Sequence, residues 1–208
     1  MSGKFPAVPI PDAADYTTQY FKRLYEASET IRPDAMRAAA DLLRSTIEAG
    51  HWVYACGNGG SAAICNHLHC DFGKGIRTGT NLRPRIHSLS AHLEMITAIG
   101  NDFSYDDIYS YQLSGIGQPG DLLITVSSSG NSENIVRPLQ WARDNGLRTI
   151  ALTGFDGGRS APLADVNIHV AANNYGIVED VHQSVMHILA QFVRQSVMPA
   201  GDIATLKF

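Results

Sequence analysis

Val53-Tyr54-Ala55-Cys56-Gly57-Asn58-Gly59-Gly60-Ser61 is an apolar run that breaks into three glycines within four residues and opens directly into Ala62-Ala63-Ile64-Cys65-Asn66-His67-Leu68. That order of residue types describes a strand, a tight turn and a helix N-terminus. The unpaired backbone N–H groups of such a terminus point outward and favour an anion. The stretch therefore reads as a phosphate cradle in which Asn58, Gly59, Gly60 and Ser61 face the ligand. A second version follows in Leu122-Leu123-Ile124-Thr125-Val126 and Ser127-Ser128-Ser129-Gly130-Asn131-Ser132, where hydroxyls replace most of the glycines. Side-chain O–H donors would there add to backbone N–H groups around the same kind of oxyanion. Two such loops at two strand ends predict one ligand held between them.

Other phosphate chemistries fit less well. Gly57-x-Gly59-x-x-Ala62 matches a relaxed dinucleotide fingerprint, but that fingerprint wants an acidic residue about 20 positions on, and the window Asn81 to Ser90 contains neither Asp nor Glu. No Lys-Ser/Thr pair follows the glycines, so a nucleotide P-loop fails as well. A serine-rich loop alone is more often a plain surface turn; its pairing with the first loop gives it meaning.

The chain has 208 residues, 44% of them hydrophobic and 17% charged, which suits one α/β domain with a full core. A net charge of −4 leaves no general basic field, so neither nucleic acid nor an anionic membrane is expected as a partner, and a phosphate must be met by local donors. Cys56, Cys65 and Cys70 are odd in number and form no CxxC, which argues against a disulfide framework and for a cytoplasmic setting. No apolar run approaches the ~20 residues of a membrane span, and the first residues lack the charged-then-apolar signal pattern.

Residues 1–11, with three prolines, read as an arm, and residues 12–50 as a helical pair. In that pair Asp12 or Asp15 caps the first helix, and Pro33 opens a second that stops at Gly50. From 51 to 197 strand and helix alternate: strands at Val53, Arg85–Leu89, Leu122–Val126, Thr149–Thr153 and Val166–Val170, with helices between them and a long helix over about Val178–Val197. The helix after the first loop is expected to end at Gly73 and Gly75, the helix from Leu93 at Gly100, and the next to run over Ile108–Ile116. An apolar tail occupies 198–208. Serial alternation predicts a doubly wound, five-stranded parallel sheet carrying an N-terminal helical pair, with its ligand beyond the carboxyl ends of the strands.

The two loops together resemble the sugar isomerase (SIS) fold, and within it the sedoheptulose-7-phosphate (phosphoheptose) isomerases of bacterial heptose synthesis. Helix-borne His67, the pair Asn101-Asp102, and a late helix with Val181-His182 and His187 extend the likeness over most of residues 15–197. The resemblance implies a homotetramer with sites at subunit interfaces, whose first two helices pack subunits together. It further implies a sugar phosphate bound by Asn58, Gly59, Gly60, Ser61, Asn101, Asp102, Ser127, Ser128, Ser129 and Ser132. Zinc is implied at His67, Asp71, Glu179 and His187, and proton transfer by Asp71 and His187 with Glu179 as a further carboxylate, through an enediol between ketose and aldose.

The sequence departs from the family pattern at several of these positions. Asp71 stands where the family has Glu, a carboxylate set back by ~1.5 Å. Glu179 stands for Gln, and Gly176 and Gly75 occupy positions of Asp and Arg, with Lys74 next to the second. Read without the family, His67 and Asp71 at i, i+4 are also a helix-surface pair, and Glu179-Asp180 an acidic first turn. Eight residues of ideal helix separate Glu179 from His187 by ~12 Å. A non-catalytic SIS module is the alternative, and the retention of His187 favours the enzyme, because a replication-initiator-binding relative lacks it.

Overall fold

The computed structural model describes residues 4–208. Among them the chain forms β1 (Trp52–Gly57), β2 (Arg85–Ser88), β3 (Leu122–Ser127), β4 (Arg148–Thr153) and β5 (Val166–His169), joined in one parallel sheet of order β2-β1-β3-β4-β5. The expected doubly wound, five-stranded sheet is thus found. Strand order reverses between β1 and β3, so the crevice where ligands bind in open α/β sheets opens above their C-terminal ends. The glycine loop follows β1 and the serine loop follows β3.

Both faces of the sheet are covered, and the nearly unbroken apolar strands reflect this. One face carries Val53, Ala55, Leu122, Ile124, Ile150 and Ile168, packed under α2 (Pro33–Glu48), α3 (Gly60–Cys70) and α8 (Tyr175–Gln195). The other carries Tyr54, Cys56, Leu123 and Ala151 beneath α4 (Leu93–Asp102), α5 (Ser110–Ile116) and α6 (Glu133–Asp144). A short α7 (Ser160–Leu163), not anticipated from the sequence, leads into β5.

The helical pair is present as expected. Asp12 caps α1 (Ala13–Ser28), its carboxylate accepting from the Asp15 N–H, and α1 lies along α8. Of the expected arm, residues 1–3 lie outside the described residues. Phe5 is packed against Tyr16 and Tyr20 at ring distances of 5.3 and 6.0 Å, and its carbonyl accepts from Asn174 Nδ2 at 3.0 Å.

Two helix boundaries differ from the sequence reading, and a third helix changes form before it ends at Gly75, in ways that bear on the site. α4 continues through Gly100 to Asp102, because Gly100 keeps ordinary helical backbone and a Cβ there would meet only Ile108, at 3.8 Å. α8 begins three residues early, capped by Asn174, whose Oδ1 accepts from the Ile177 N–H at 3.1 Å. After Cys70 the chain does not leave the helix but widens into a π-helical turn, Asp71–Gly75, closed by an Ile76 N–H to Asp71 carbonyl bond of 3.1 Å. Single π-turns within helices recur at functional sites.

Candidate active site

The glycine loop works by close approach. A Cβ on Gly57 would come within 2.7 Å of the Ser61 carbonyl oxygen, so only glycine lets α3 start this near β1. Gly59 turns the chain with φ +55°, and Ser61 is buried at the start of α3. The Gly57 carbonyl accepts from Tyr109 Oη at 2.5 Å and from Ser90 Oγ at 3.0 Å. Two elements distant in sequence therefore hold the loop rigid.

The serine loop faces it. Gly130 has φ +63°, and a Cβ there would overlap the Gly157 carbonyl oxygen, so the loop lies flat on the 154–158 turn. Asn58 and Asn134 join the two loops by reciprocal amide hydrogen bonds of 2.9 Å each. Asn134 is buried at the start of α6, and no local pattern marked it.

Between the loops lies a cleft of about 220 Å³ lined by Asn58, Ser61, Ser127, Ser128, Ser129, Ser132, Tyr175 and Glu179. Ser128 Oγ is buried in it with no hydrogen-bond partner, and Ser132, the N-cap of α6, makes no capping bond with its hydroxyl. A buried orphan hydroxyl and an N-cap hydroxyl left uncommitted are what an oxyanion between two helix N-termini would use. Among the described residues no Lys or Arg lines the cleft, so hydroxyls, amides and the dipoles of α3 and α6 are its positive side.

Beyond this cleft the second cluster forms. The carboxylate oxygens of Asp71 face two imidazoles, Oδ1 3.4 Å from His67 Nε2 and Oδ2 3.3 Å from His187 Nε2. The ligand atoms of His67, Asp71 and His187 all lie within 4.8 Å of one another. Two imidazole nitrogens and a carboxylate oxygen at that spacing suit zinc or a similar divalent ion with one position left for substrate. Gln183 completes the cluster: its Nε2 is 3.0 Å from His67 Nδ1 and 3.2 Å from His187 Nε2. Sequence reasoning passed over Gln183, although its i, i+4 spacing to His187 was there to be read.

Glu179 does not join this group. Its carboxylate packs over Gly60, where a Cβ would overlap it, and it lines the serine cleft. Helix α8 is regular from Tyr175, so the ~12 Å of helix between Glu179 and His187 stands. Burial, and then neighbouring Asp180, push the Glu179 carboxyl above the usual carboxylate range. Asn101 and Asp102, expected at the substrate, are exposed at the end of α4 and hydrogen-bonded to each other at 2.9 Å, away from the cleft lining. At Gly176, a Cβ would lie 3.0 Å from the Tyr20 hydroxyl, which itself donates to Asp180 Oδ2 at 2.7 Å.

A doubly wound sheet with a glycine loop and a serine loop facing each other across its switch point defines a sugar-phosphate-binding class. The SIS domain family model matches residues 15–154, and the chain belongs to that family. Within it the chain belongs with the phosphoheptose isomerases. It is 35% identical to the phosphoheptose isomerase of Shewanella loihica over 193 residues, 91% of this chain and 97% of that one. The solved phosphoheptose isomerase of Neisseria gonorrhoeae is similar at TM-score 0.80 and 29% identity, over 88% of this chain and 97% of that chain. That of Francisella tularensis follows at TM-score 0.79 and 28% identity, over 88% and 99%.

Proposed function

We propose that the protein is a phosphoheptose isomerase that interconverts sedoheptulose 7-phosphate and an aldoheptose 7-phosphate. The observation that carries this reading is the gathering of Asp71, His67 and His187 into one cluster, with α8 bordering both that cluster and the cleft between the two loops. The phosphate binds between the loops, on Ser61, Ser127, Ser128, Ser129 and Ser132 and the amides of Gly59 and Gly60. The sugar chain runs along α8 toward His187. Asp71 takes a proton from C1, His187 gives one to the C2 carbonyl oxygen, and the enediol collapses by return of a proton to C2 and loss of the O1 proton. Glu179, in the phosphate cleft, orients the hydroxyls nearest the phosphate. His67, Asp71 and His187 would alternatively hold a divalent ion such as zinc, which when bound would polarise the carbonyl in place of the His187 proton. Gln183 orients both imidazoles. A module that only bound sugar phosphates would have no use for a carboxylate held between two imidazoles at the far end of its ligand.

The finer setting follows the same reading. Phe21 and Tyr25 on α1 and Ile188 and Phe192 on α8 are each roughly half or more exposed, and α1 lies against α8, so these helices offer an apolar face to other subunits of a homotetramer. Cys56 and Cys65 are free and buried, which fits a cytoplasmic enzyme. Among the described residues no helix is long and apolar enough to cross a membrane.

The test is turnover of sedoheptulose 7-phosphate in D2O followed by NMR. Deuterium is expected at C1 of recovered ketose and at C2 of the aldose, and Asp71→Asn should lower the rate by about a hundredfold or more. Intact turnover in both Asp71→Asn and His187→Ala removes the assignment.

A further inference from the structure

The apolar segment 199–208 takes no part in the site described so far, yet it folds back onto it. Arg194, in the last turn of α8, is only 5% exposed. It donates from Nε to the Thr78 carbonyl at 2.8 Å and from Nη2 to the Leu206 carbonyl at 3.4 Å, and its guanidinium lies 5.8 Å from the centroid of the Phe208 ring. A buried guanidinium needs its donors satisfied, and here the returning segment helps satisfy them. The surface that receives the segment lacks side chains at the points of contact. A Cβ on Gly79 would come within 2.7 Å of Leu206 Cδ1, and one on Gly75 within 2.7 Å of two carbons of the Phe208 ring.

Gly75 closes the π-turn that Asp71 opens, so the ring lands beside the catalytic cluster. Cys70, Lys74, Gln191 and Phe208 line, together with Asp71 and His187, an open cleft of about 280 Å³. Helix α8 sets the order of the parts. Tyr175 and Glu179, in the first turns of α8, line the phosphate cleft, while His187 and Gln191, two turns and more further along, line the Phe208 cleft. A sugar chain anchored by its phosphate at the first cleft brings its carbonyl end to Asp71 and His187. What it meets next is Phe208.

We propose, on the isomerase reading above, that Phe208 is a specificity-determining residue, the wall beyond the reacting carbons that restricts the site to sugars with a single carbon past the carbonyl. The wall is clasped by Arg194 and seated against Gly75. Rejection at a packed wall is steric, and one extra carbon in such a pocket changes affinity by roughly ten- to two-hundredfold.

Calorimetry with two ligands tests this. Oct-3-ulose 8-phosphate keeps the phosphate-to-carbonyl spacing of sedoheptulose 7-phosphate and adds one carbon beyond the reacting pair. The wild-type protein is expected to bind it at least about tenfold more weakly than sedoheptulose 7-phosphate, and Phe208→Ala to narrow that gap to about twofold. Affinity of Phe208→Ala for inorganic phosphate should match that of the wild type, while its urea midpoint falls modestly with the lost contact to Arg194. The wall is overturned if the wild type shows no gap, if Phe208→Ala leaves the gap unchanged, or if that variant weakens phosphate and both sugars alike, which is the signature of a packing residue. Turnover measured alongside separates the two readings. If neither protein isomerises either sugar, the isomerase reading fails, while the affinity ratio still decides the wall.

Discussion

The two ends of the site rest on different chemistry, and single substitutions should separate them. Ser129 belongs to the phosphate loop, so Ser129→Ala removes a hydroxyl donor to an anion, worth about 1.5 to 3 kcal/mol, and should weaken sugar-phosphate binding by roughly ten- to a hundredfold. Asp71→Asn keeps shape and should spare that affinity while it lowers turnover. Calorimetry on both variants with one sugar phosphate checks the division, which fails if Asp71→Asn abolishes binding and Ser129→Ala does not. A third residue reports on folding. His182 is fully buried, with Nε2 3.1 Å from the Thr153 carbonyl and Nδ1 without a partner, and burial pushes its imidazole down to about 4. The folded protein keeps this ring neutral where the unfolded chain would protonate it. Its contribution to stability is therefore complete above pH ~6.5 and is lost as pH falls toward 4, up to about 3 kcal/mol. Urea midpoints of the wild type and His182→Gln should diverge in that window with the wild type falling faster. Parallel curves would show that the ring does not titrate with folding.

The elements that build the cradle depend on backbone approach. The serine loop lies against the 154–158 turn because Gly130 and Gly158 both take positive φ, and a Cβ on either would overlap backbone of the other loop. Gly130→Ala should cost about 1 to 3 kcal/mol, combining strain at positive φ with overpacking, and should also weaken phosphate binding by shifting Ser129. A thermal shift of several degrees downward, with reduced affinity for inorganic phosphate, is the expected result; an unchanged melting temperature would mean that the loop can move off the turn freely. The π-turn is the second such element. The helical path stops at Gly75 as read, but it does so through a widened turn that carries Asp71 next to His187, and Gly75 also admits Phe208.

The folded chain leaves exposed apolar side chains on α1 and α8, Phe21, Tyr25, Ile188 and Phe192. Light scattering at micromolar concentration should give the mass of four chains, and Phe21→Glu combined with Phe192→Glu should shift it toward smaller species. A monomer in the wild type would remove the shared-site arrangement.

The alternation of strand and helix, the all-parallel sheet and the glycine and serine loops were legible in order along the chain, because each is specified by neighbours within a few residues: an apolar run, a glycine where the backbone must approach, a hydroxyl at a helix start. His67 and Asp71 could be paired from local spacing, whereas His187 was named through the family likeness alone. The convergence of the three could not be read from spacing, since it depends on α3 and α8 crossing at one height, with more than a hundred residues of chain between them. Folding likewise separated Glu179 from the cluster and brought Gln183 into it, through a regular α8 that borders one cleft with its first turns and the other with later ones. Asn134 bridging to Asn58, and Phe208 seated on Gly75, are contacts across 76 and 133 residues, which no periodicity or turn signal encodes. Packing between distant segments alone decides such contacts.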